Sequence, residues 1–491
     1  MEQGIKREKS HLIEKILTIA FWIFVWAIIA YFFPYRNFLP MPGDVLHAMG
    51  KMLHERDFLI RTLNSVFHAF LGIALGSLFG ALLGIGAARS HKVEVLFHPL
   101  LRVMQSVPVA SFIVLALFWL SSHMVSVFIS FLIVLPIVYG HAYVGWSQID
   151  GKLVEVCRIF RISGMMRWRA LYLPTLSEHI REGVGTAMGL GWKAALAAEV
   201  IGMAQLSIGG AIYDSKIYLN MDMLFAWTVW VILLSALFQC LWSKIWKKWI
   251  HSLESIPAVP EEDVKECSYQ NHHENGKKQF GTETGGQNRE TILSLRDITV
   301  TFPGKKVLEH FHMAIVRGDW TGLSGASGTG KTTLLRVISG ITQPDSGERR
   351  EHKALRIAMQ FQEDRLFERL TLRENLRLAG IPDQSIERGC RAFGMEKELD
   401  QKIEGFSGGM KRRTSLLRAV LVPGDLVLLD EPTAGLDEAL AGKVLTWTRE
   451  TILSDGKACV IASHQKTDFQ ILQVNQMLTL PALSDRTCSS R

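Results

Sequence analysis

The sequence predicts a multidomain chain: an all-α bundle of six membrane-spanning helices, then an α/β domain built around a phosphate-binding loop. Three observations carry that reading. Apolar runs long enough to cross a bilayer crowd the first half of the 491 residues. A polar stretch over 251–290 follows. Past it, "GASGTGKTT" stands between a β-prone run and a helical one, the strand–loop–helix setting such a loop requires. The expected boundaries are 1–250 for the membrane domain, 251–290 for a disordered linker and 291–491 for the α/β domain.

Composition narrows the class. The formal charge of +7 comes, in the first half, from basic residues beside apolar segments, where the positive-inside rule places them. No basic stripe with interleaved aromatics appears, so nucleic acid is not an expected partner. Cys157, Cys240, Cys267, Cys390, Cys459 and Cys488 are scattered without CxxC spacing, which fits a reducing cytosol better than a disulfide framework or a zinc site. Lys6, Arg7 and Lys9 precede an apolar run from Ile16 to Phe33. That run is too long for a signal peptide and reads as a retained first span.

The six expected spans run over 14–34, 64–88, 97–120, 123–145, 176–203 and 224–246, each long enough for about 30 Å of hydrocarbon. The glycines of "FLGIALGSLFGALLGIGAA" allow close helix approach inside a bundle. Basic residues at the N-terminus, in "RSHKVEV", over 146–175 and in "KIWKKW" place both ends of the membrane domain, and the α/β domain after it, in the cytoplasm of a multi-pass plasma-membrane protein. Gln105, Lys193 and Glu199 are costly in a span. Lys193 has two readings: lining a water-filled path toward an anionic solute, or pairing with a neighbouring helix or snorkelling. Pro108 and Pro136 are expected to kink their helices. The 251–290 stretch is too polar to bury a core, and His272–His273, without further ligands, reads as solvated tether.

The chemistry lies in the second half. In Gly325, Ala326, Ser327, Gly328, Thr329, Gly330, Lys331, Thr332 and Thr333, glycines let successive amides turn toward phosphate oxygens at a helix N-terminus. Lys331 is placed to reach the β- and γ-phosphates, and the Thr332 hydroxyl to bind Mg2+. "LVLLDEP" is an apolar strand ending in Asp430, an acid suited to the same ion, and Glu431, suited to polarising the attacking water. "FSGGMKRR" holds Ser407, Gly408 and Gly409 in a turn opening a basic helix, and "VIASH" ends a strand at His464, within reach of a γ-phosphate.

As a set these motifs, spread over 291–491, resemble the nucleotide-binding domain of ATP-binding cassette (ABC) transporters. The resemblance implies an α/β P-loop ATPase that takes ATP and Mg2+ and couples hydrolysis to transport. By it, Phe302 stacks on adenine and Gln362 in "MQFQED" senses magnesium and water, with Gln360 the other glutamine of that stretch. Asp437 of "AGLD" would lie at a dimer seam. Phe406, Met410 and Gln465 depart from the usual pattern, and the short interval from Lys331 to Ser407 implies a reduced helical subdomain.

The loop "VEVCRIFRISGMMRWRALYLP", 154–174, resembles the cytoplasmic loop of ABC importer permeases, whose pattern is E-A-A, three residues, G, nine residues, I-x-L-P. Glu155-Val156-Cys157 and Leu171-Tyr172-Leu173-Pro174 hold its ends, while Arg161 occupies the glycine position and Gly164 follows. This implies a docking loop, with Ile159, Phe160 and Ile162 buried in a cleft of the ATPase and the arginines meeting its acids. "LPMPGDVLHAM" and the Trp192…Glu199 helix make the six-span permease similar to nitrate, sulfonate, taurine and bicarbonate importer permeases. Related members are associated with thiamine-precursor pyrimidines. The implied protein is an importer with permease and ATPase fused. Its implied partners are a second copy of itself or a related fused chain, an extracytoplasmic solute-binding protein, and membrane lipid. An exporter half-molecule would carry long cytoplasmic helical extensions, and a signalling ATPase a large external domain; neither fits the loop lengths.

Overall fold

The structure, a computed structural model, describes residues 2–33, 38–254, 290–302, 305–352 and 355–481. Most of the expected linker, with His272–His273 and Cys267, lies outside the described residues, as does Cys488. The chain forms two compact units. One is Met1–Ile149 with Pro174–Leu253; the other is Asp150–Leu173 with Glu254–Arg491. The loop over 150–173 therefore groups with the α/β half.

The first unit is helical. In order it contains α1 (Glu2–Phe32), α2 (Pro42–Leu53), α3 (Phe58–Arg89), α4 (His91–Ser106), α5 (Val109–Ala116) and α6 (Ser122–Ser147). After the loop helices α7 (Gly151–Ile159) and α8 (Gly164–Arg167) come α9 (Leu173–Ile201), α10 (Ile208–Ile217) and α11 (Met221–Glu254). Among the described residues, α3, α6 and Met221–Lys248 are long and apolar enough to cross a membrane. The expected single span over 97–120 is instead a broken pair: α4 and α5 are bent by 99°. Pro108 stands at the break as the residue before α5, because it cannot donate to a continuing helix ladder. Pro136, expected to act alike, lies inside an α6 that runs on without a break. α1 has a shorter apolar part, Leu17–Phe32, and α9 carries Glu178, Arg181, Glu182, Lys193 and Glu199.

The glycine stripe of α3 faces α6. A methyl added at Gly72 would lie 2.3 Å from the Val127 carbonyl oxygen, at Gly80 2.6 Å from that of Leu135, and at Gly84 2.5 Å from that of Tyr139. Backbones this close leave no room for a side chain, and the contact gains dispersion where lipid offers no hydrophobic drive. Around α9, Trp192 and Trp227 pack with Met52 and Ile208 in one buried cluster. Glu199 is fully buried and its Oε2 accepts from Ser65 Oγ (2.7 Å) and the Gly209 amide (3.0 Å), which ties α9 to α3 and to the start of α10. Lys193 is exposed and makes no ion pair among the described residues, and Gln105 is exposed as well.

The second unit has two sheets. An antiparallel sheet orders β2 (Lys305–Val316), β1 (Thr291–Phe302) and β4 (Ser346–Glu351). A parallel sheet orders β5 (Ile357–Gln360), β6 (Leu426–Asp430), β7 (Ala458–Ala462), β3 (Trp320–Ser324) and β8 (Gln476–Thr479). β6 and β7 are buried along their whole length, the uninterrupted apolar runs a covered parallel sheet needs. The helices are α12 (Lys331–Ile338), α13 (Leu372–Arg377), α14 (Asp383–Ala392), α15 (Gly408–Leu421), α16 (Glu438–Ser454) and α17 (Lys466–Leu472). Only α13, α14 and two single 3-10 turns fill the stretch between β5 and α15, matching the short interval from Lys331 to Ser407.

The α3–α6 contact gives a first prediction. Gly84→Ala is expected to lower the stability of the membrane unit by about 1–3 kcal/mol through overpacking. Gly50→Ala in α2, where an added methyl meets nothing within 4 Å, is expected to be neutral or stabilising by about 0.5–1 kcal/mol. Thermal unfolding of the detergent-solubilised variants compares them; equal midpoints would show that the glycines do not set the helix spacing.

Candidate functional site

In a parallel sheet, loops leaving the carboxyl ends of the strands converge along one edge. Here β3 runs into the phosphate loop, β6 into Asp430–Glu431, β7 into His464 and β5 into Gln360. The phosphate loop turns through glycines in the left-handed region, with φ of +77° at Gly328 and +100° at Gly330. At Gly330 a methyl would also lie 2.8 Å from Val307 Cγ1. Lys331, the first residue of α12, is buried. Its Nζ donates to the carbonyls of Gly325 (2.8 Å) and Ala326 (3.1 Å) and lies 3.3 Å from His464 Nε2. Burial lowers its pKa, against the pull of the Glu431 and Asp430 charges.

Asp430 is 2% exposed and its Oδ2 makes no hydrogen bond among the described residues. Burial pushes its pKa up to about 6, opposed by a hydrogen bond from Thr332. An unpartnered carboxylate oxygen beside a hydroxyl is a fit for a hard divalent cation. Glu431 has a φ of +52°, a conformation that costs a non-glycine residue roughly 1–3 kcal/mol. Its amide donates to Ala462 O (2.8 Å), and its Oε1 lies 3.2 Å from His464 Nε2. The side chain thus meets His464, which in turn lies beside Lys331. Lys331, Thr332, Asp430, Glu431 and His464 form one cluster.

Gln360, not Gln362, is buried: its Nε2 donates to Phe361 O (2.8 Å) and its Oε1 accepts from the Asp430 amide (3.2 Å). The Gln362 side chain is exposed. Ser407 caps α15 and Asp437 caps α16, their side chains accepting from the Met410 and Leu440 amides. Phe302 is 48% exposed. Among the described residues, Phe302, Ser407, Gly408, Gly409 and Asp437 make no hydrogen bond or ion pair with the phosphate-loop cluster.

The sequence reading overlooked Asp468. It is 1% exposed, and its Oδ2 accepts from Thr433 Oγ1 (2.9 Å) and Ser463 Oγ (2.6 Å). It joins the segment after Glu431 to the one before His464. The available signal was an acid in the first turn of a short helix just past His464.

The loop over 150–173 packs within the same unit, with Phe160 and Ile162 buried and Ile159 half-buried. Its polarity reverses the expectation. Its acid Glu155 is gripped by two arginines: Arg336 donates to Glu155 Oε1 (2.7 Å) and Oε2 (3.2 Å), and Arg365 to Oε2 (2.5 Å). Burial pushes the Glu155 pKa up, but the hydrogen bonds and charges of Arg336 and Arg365 together hold it below the usual glutamate range. Of the loop's arginines, Arg161 donates to a carbonyl, Leu355 O, and Arg167 to the loop's own Ile162 O. Among the described residues of the loop, the cation that meets an acid of the α/β part is Lys152, 2.7 Å from Glu363, and not one of the arginines expected to do so. Arg161 takes a φ of +48°, the conformation for which the family pattern keeps glycine at that place.

Two family descriptions match the chain: "Binding-protein-dependent transport system inner membrane component" over residues 60–252 and "ABC transporter" over 308–434. The thiamine import ATP-binding protein ThiQ of Vibrio parahaemolyticus is 31% identical over 36% of this chain and 82% of its own length. The phosphonates import ATP-binding protein PhnC of Treponema denticola is 34% identical over 35% of this chain and 80% of its own. The Nod factor export ATP-binding protein I of Burkholderia lata is 33% identical over 35% of this chain and 62% of its own.

The Glu155 seat predicts a pH dependence. A carboxyl whose folded pKa is depressed contributes stability that is complete above its unfolded pKa and lost as pH falls through the folded one. Glu155→Gln is therefore expected to destabilise the ATPase unit by about 1–3 kcal/mol at pH 7. That difference should vanish in the acid range below the ordinary glutamate pKa. Denaturant titrations of both proteins across pH measure it, and a difference that grew on acidification would contradict the assignment.

Proposed function

Because the chain belongs to the ABC transporter family, with permease and ATPase on one polypeptide, we propose that it drives a small, anionic or small organic solute into the cytoplasm at the expense of ATP. The observation that carries this reading is the convergence of Lys331, Asp430, Glu431 and His464 in a compact unit that includes the loop over 150–173. A hydrolytic centre and the loop between two permease helices are thereby one folded body.

Each residue has a proposed task. The phosphate-loop amides and the Lys331 ammonium hold the β- and γ-phosphates. Thr332 and Asp430, with Gln362, hold Mg2+, which when bound neutralises charge on the phosphate oxygens. Glu431 takes the proton of the attacking water, and His464, between Glu431 and Lys331, steadies both against the γ-phosphate. Phe302, half-exposed at the end of β1, offers its ring to adenine. That Ser407–Gly409 and Asp437 make no hydrogen bond or ion pair with their own phosphate-loop cluster among the described residues supports a dimer in which the partner's turn completes each site, with two-fold symmetry the simplest arrangement. Both termini and the ATPase are proposed to be cytoplasmic.

For the solute, the likeness of "LPMPGDVLHAM" (residues 39–49) and of the Trp192…Glu199 helix to nitrate, sulfonate and taurine importers supports an anion, and the exposed Lys193 supplies a cation for one. A thiamine-precursor pyrimidine is the second reading, favoured by the 31% identical thiamine-import ATPase. An extracytoplasmic binding protein would present either. Hydrolysis by the reconstituted chain, measured with that protein and an alkanesulfonate or a pyrimidine precursor, separates the two by which one stimulates it.

The hydrolytic centre gives the direct test. Glu431→Gln keeps size and hydrogen bonding but removes the base, so ATP should still bind while turnover falls at least about a hundredfold. Lys331→Ala should weaken nucleotide binding itself. Light scattering on the active preparation should report twice the 55.2 kDa chain. A Glu431→Gln protein hydrolysing at the parental rate, or an active particle of one chain mass, would overturn the corresponding assignment.

A further inference from the structure

The short segment Phe361–Arg365 is held from two sides. On one side stands α15, whose N-cap is Ser407. Arg412 of that helix is 9% exposed and donates from Nη1 to Phe361 O (3.0 Å) and from Nη2 to Gln362 O (2.6 Å). Its Nε lies 3.3 Å from Asp364 Oδ1. Arg418, two turns on and 1% exposed, donates from Nη2 to Arg365 O (3.0 Å) and lays its guanidinium over the Phe160 ring, 4.9 Å from its centre. On the other side stands the 150–173 loop, through Glu155 on Arg365 and Lys152 on Glu363.

A buried guanidinium is expensive unless its donors are taken up. Arg412 uses two of its nitrogens on the carbonyls of Phe361 and Gln362, so releasing that segment would strand the charge. Nearby, Asp364 Oδ1, Arg365 Nε, and Arg418 Nε and Nη1 are buried yet form no hydrogen bond among the described residues. The contact therefore has spare donors, on Arg418, with which to rearrange, whereas Arg412 is already engaged by Phe361 O, Gln362 O and the Asp364 carboxylate.

We propose that Arg412 is a positioning residue for hydrolysis. It fastens the backbone on which Gln362 stands to the helix that begins at Ser407, so that the docking loop, Gln362 and the Ser407–Gly409 turn shift as one body. The Gln362 side chain itself is exposed and makes no hydrogen bond among the described residues, so this backbone positions it. Displacement of Glu155 then reaches the segment through Arg365, and Arg412 passes it to α15 without slack. This rests on the ATP-hydrolysing reading above, so the test needs a readout that does not depend on hydrolysis.

The experiment uses the full chain in lipid vesicles, with Mg2+ and ATP. Amide hydrogen exchange of Arg412→Gln should be faster by about tenfold at residues 361–365 and in the 151–160 loop, and unchanged through α15. Its kcat for ATP should fall several-fold while its KM stays within about twofold of the parent, because Gln362 is misplaced and the phosphate loop is not touched. Arg412→Lys, which still reaches a carbonyl, should recover most of the protection and rate. Unchanged exchange at 361–365, or faster exchange spread evenly over the whole ATPase unit, would overturn the proposal. If neither parent nor variant hydrolyses ATP but the localised exchange is found, the clamp stands and the functional reading fails.

Discussion

Glu155, its side chain about a quarter exposed, is shared by Arg336 and Arg365, and the organisation of the chain turns on that contact. Arg336 belongs to α12, the helix that begins at the phosphate-loop lysine, and Arg365 follows the strand that ends in Gln360. One carboxylate from the loop between two membrane helices thus bonds the helix that carries the nucleotide loop and the segment that carries Gln362. Charge-assisted, bidentate geometry of this kind fixes orientation as well as distance. It places a piece of the permease inside the compact unit of the ATPase.

The proposed hydrolytic centre depends on a different balance. A parallel sheet with fully buried central strands delivers Asp430 and Glu431 at a strand end where neither is comfortable: Asp430 is desolvated with one oxygen unpartnered, and Glu431 is held in a left-handed backbone conformation. The sheet supplies the stability that tolerates both. Asp468, with its two hydroxyl partners, and Gln360, which joins Asp430 to Phe361, then keep the strand ends in register. Charge and strain thus collect at the carboxyl ends of the strands, where the proposed phosphate chemistry would use them, with the hydrogen-bonded Gln360 and Asp468 beside them.

Much of the fold was legible in the sequence, for physical reasons: the phosphate loop demands glycines at fixed places, an apolar run between turns demands a buried strand, and apolar length demands a membrane. The Gly72–Gly84 spacing foretold close packing because only small residues allow it. What escaped the reading depended on contacts remote in sequence. Nothing local shows that Glu155 meets Arg336 and Arg365 across 181 and 210 residues, so the loop's arginines were cast as the anchors when its acid has that task. Arg412 looks like one more surface cation of a basic helix until its carbonyl partners are known. Likewise the apolar run over 97–120 hides a break of 99°, since hydropathy is indifferent to a bend that Pro108 permits.

The claim at the centre is that Glu155 and Arg336 act as one unit in linking the loop to hydrolysis. A double-mutant cycle tests it most directly: ATP turnover of the vesicle-embedded parent, Glu155→Gln, Arg336→Gln and the double variant. The account predicts that the second substitution adds little to the first, with an interaction free energy of about 1–3 kcal/mol. Effects that simply add, within about 0.5 kcal/mol, would show that the two residues act independently and would contradict the account.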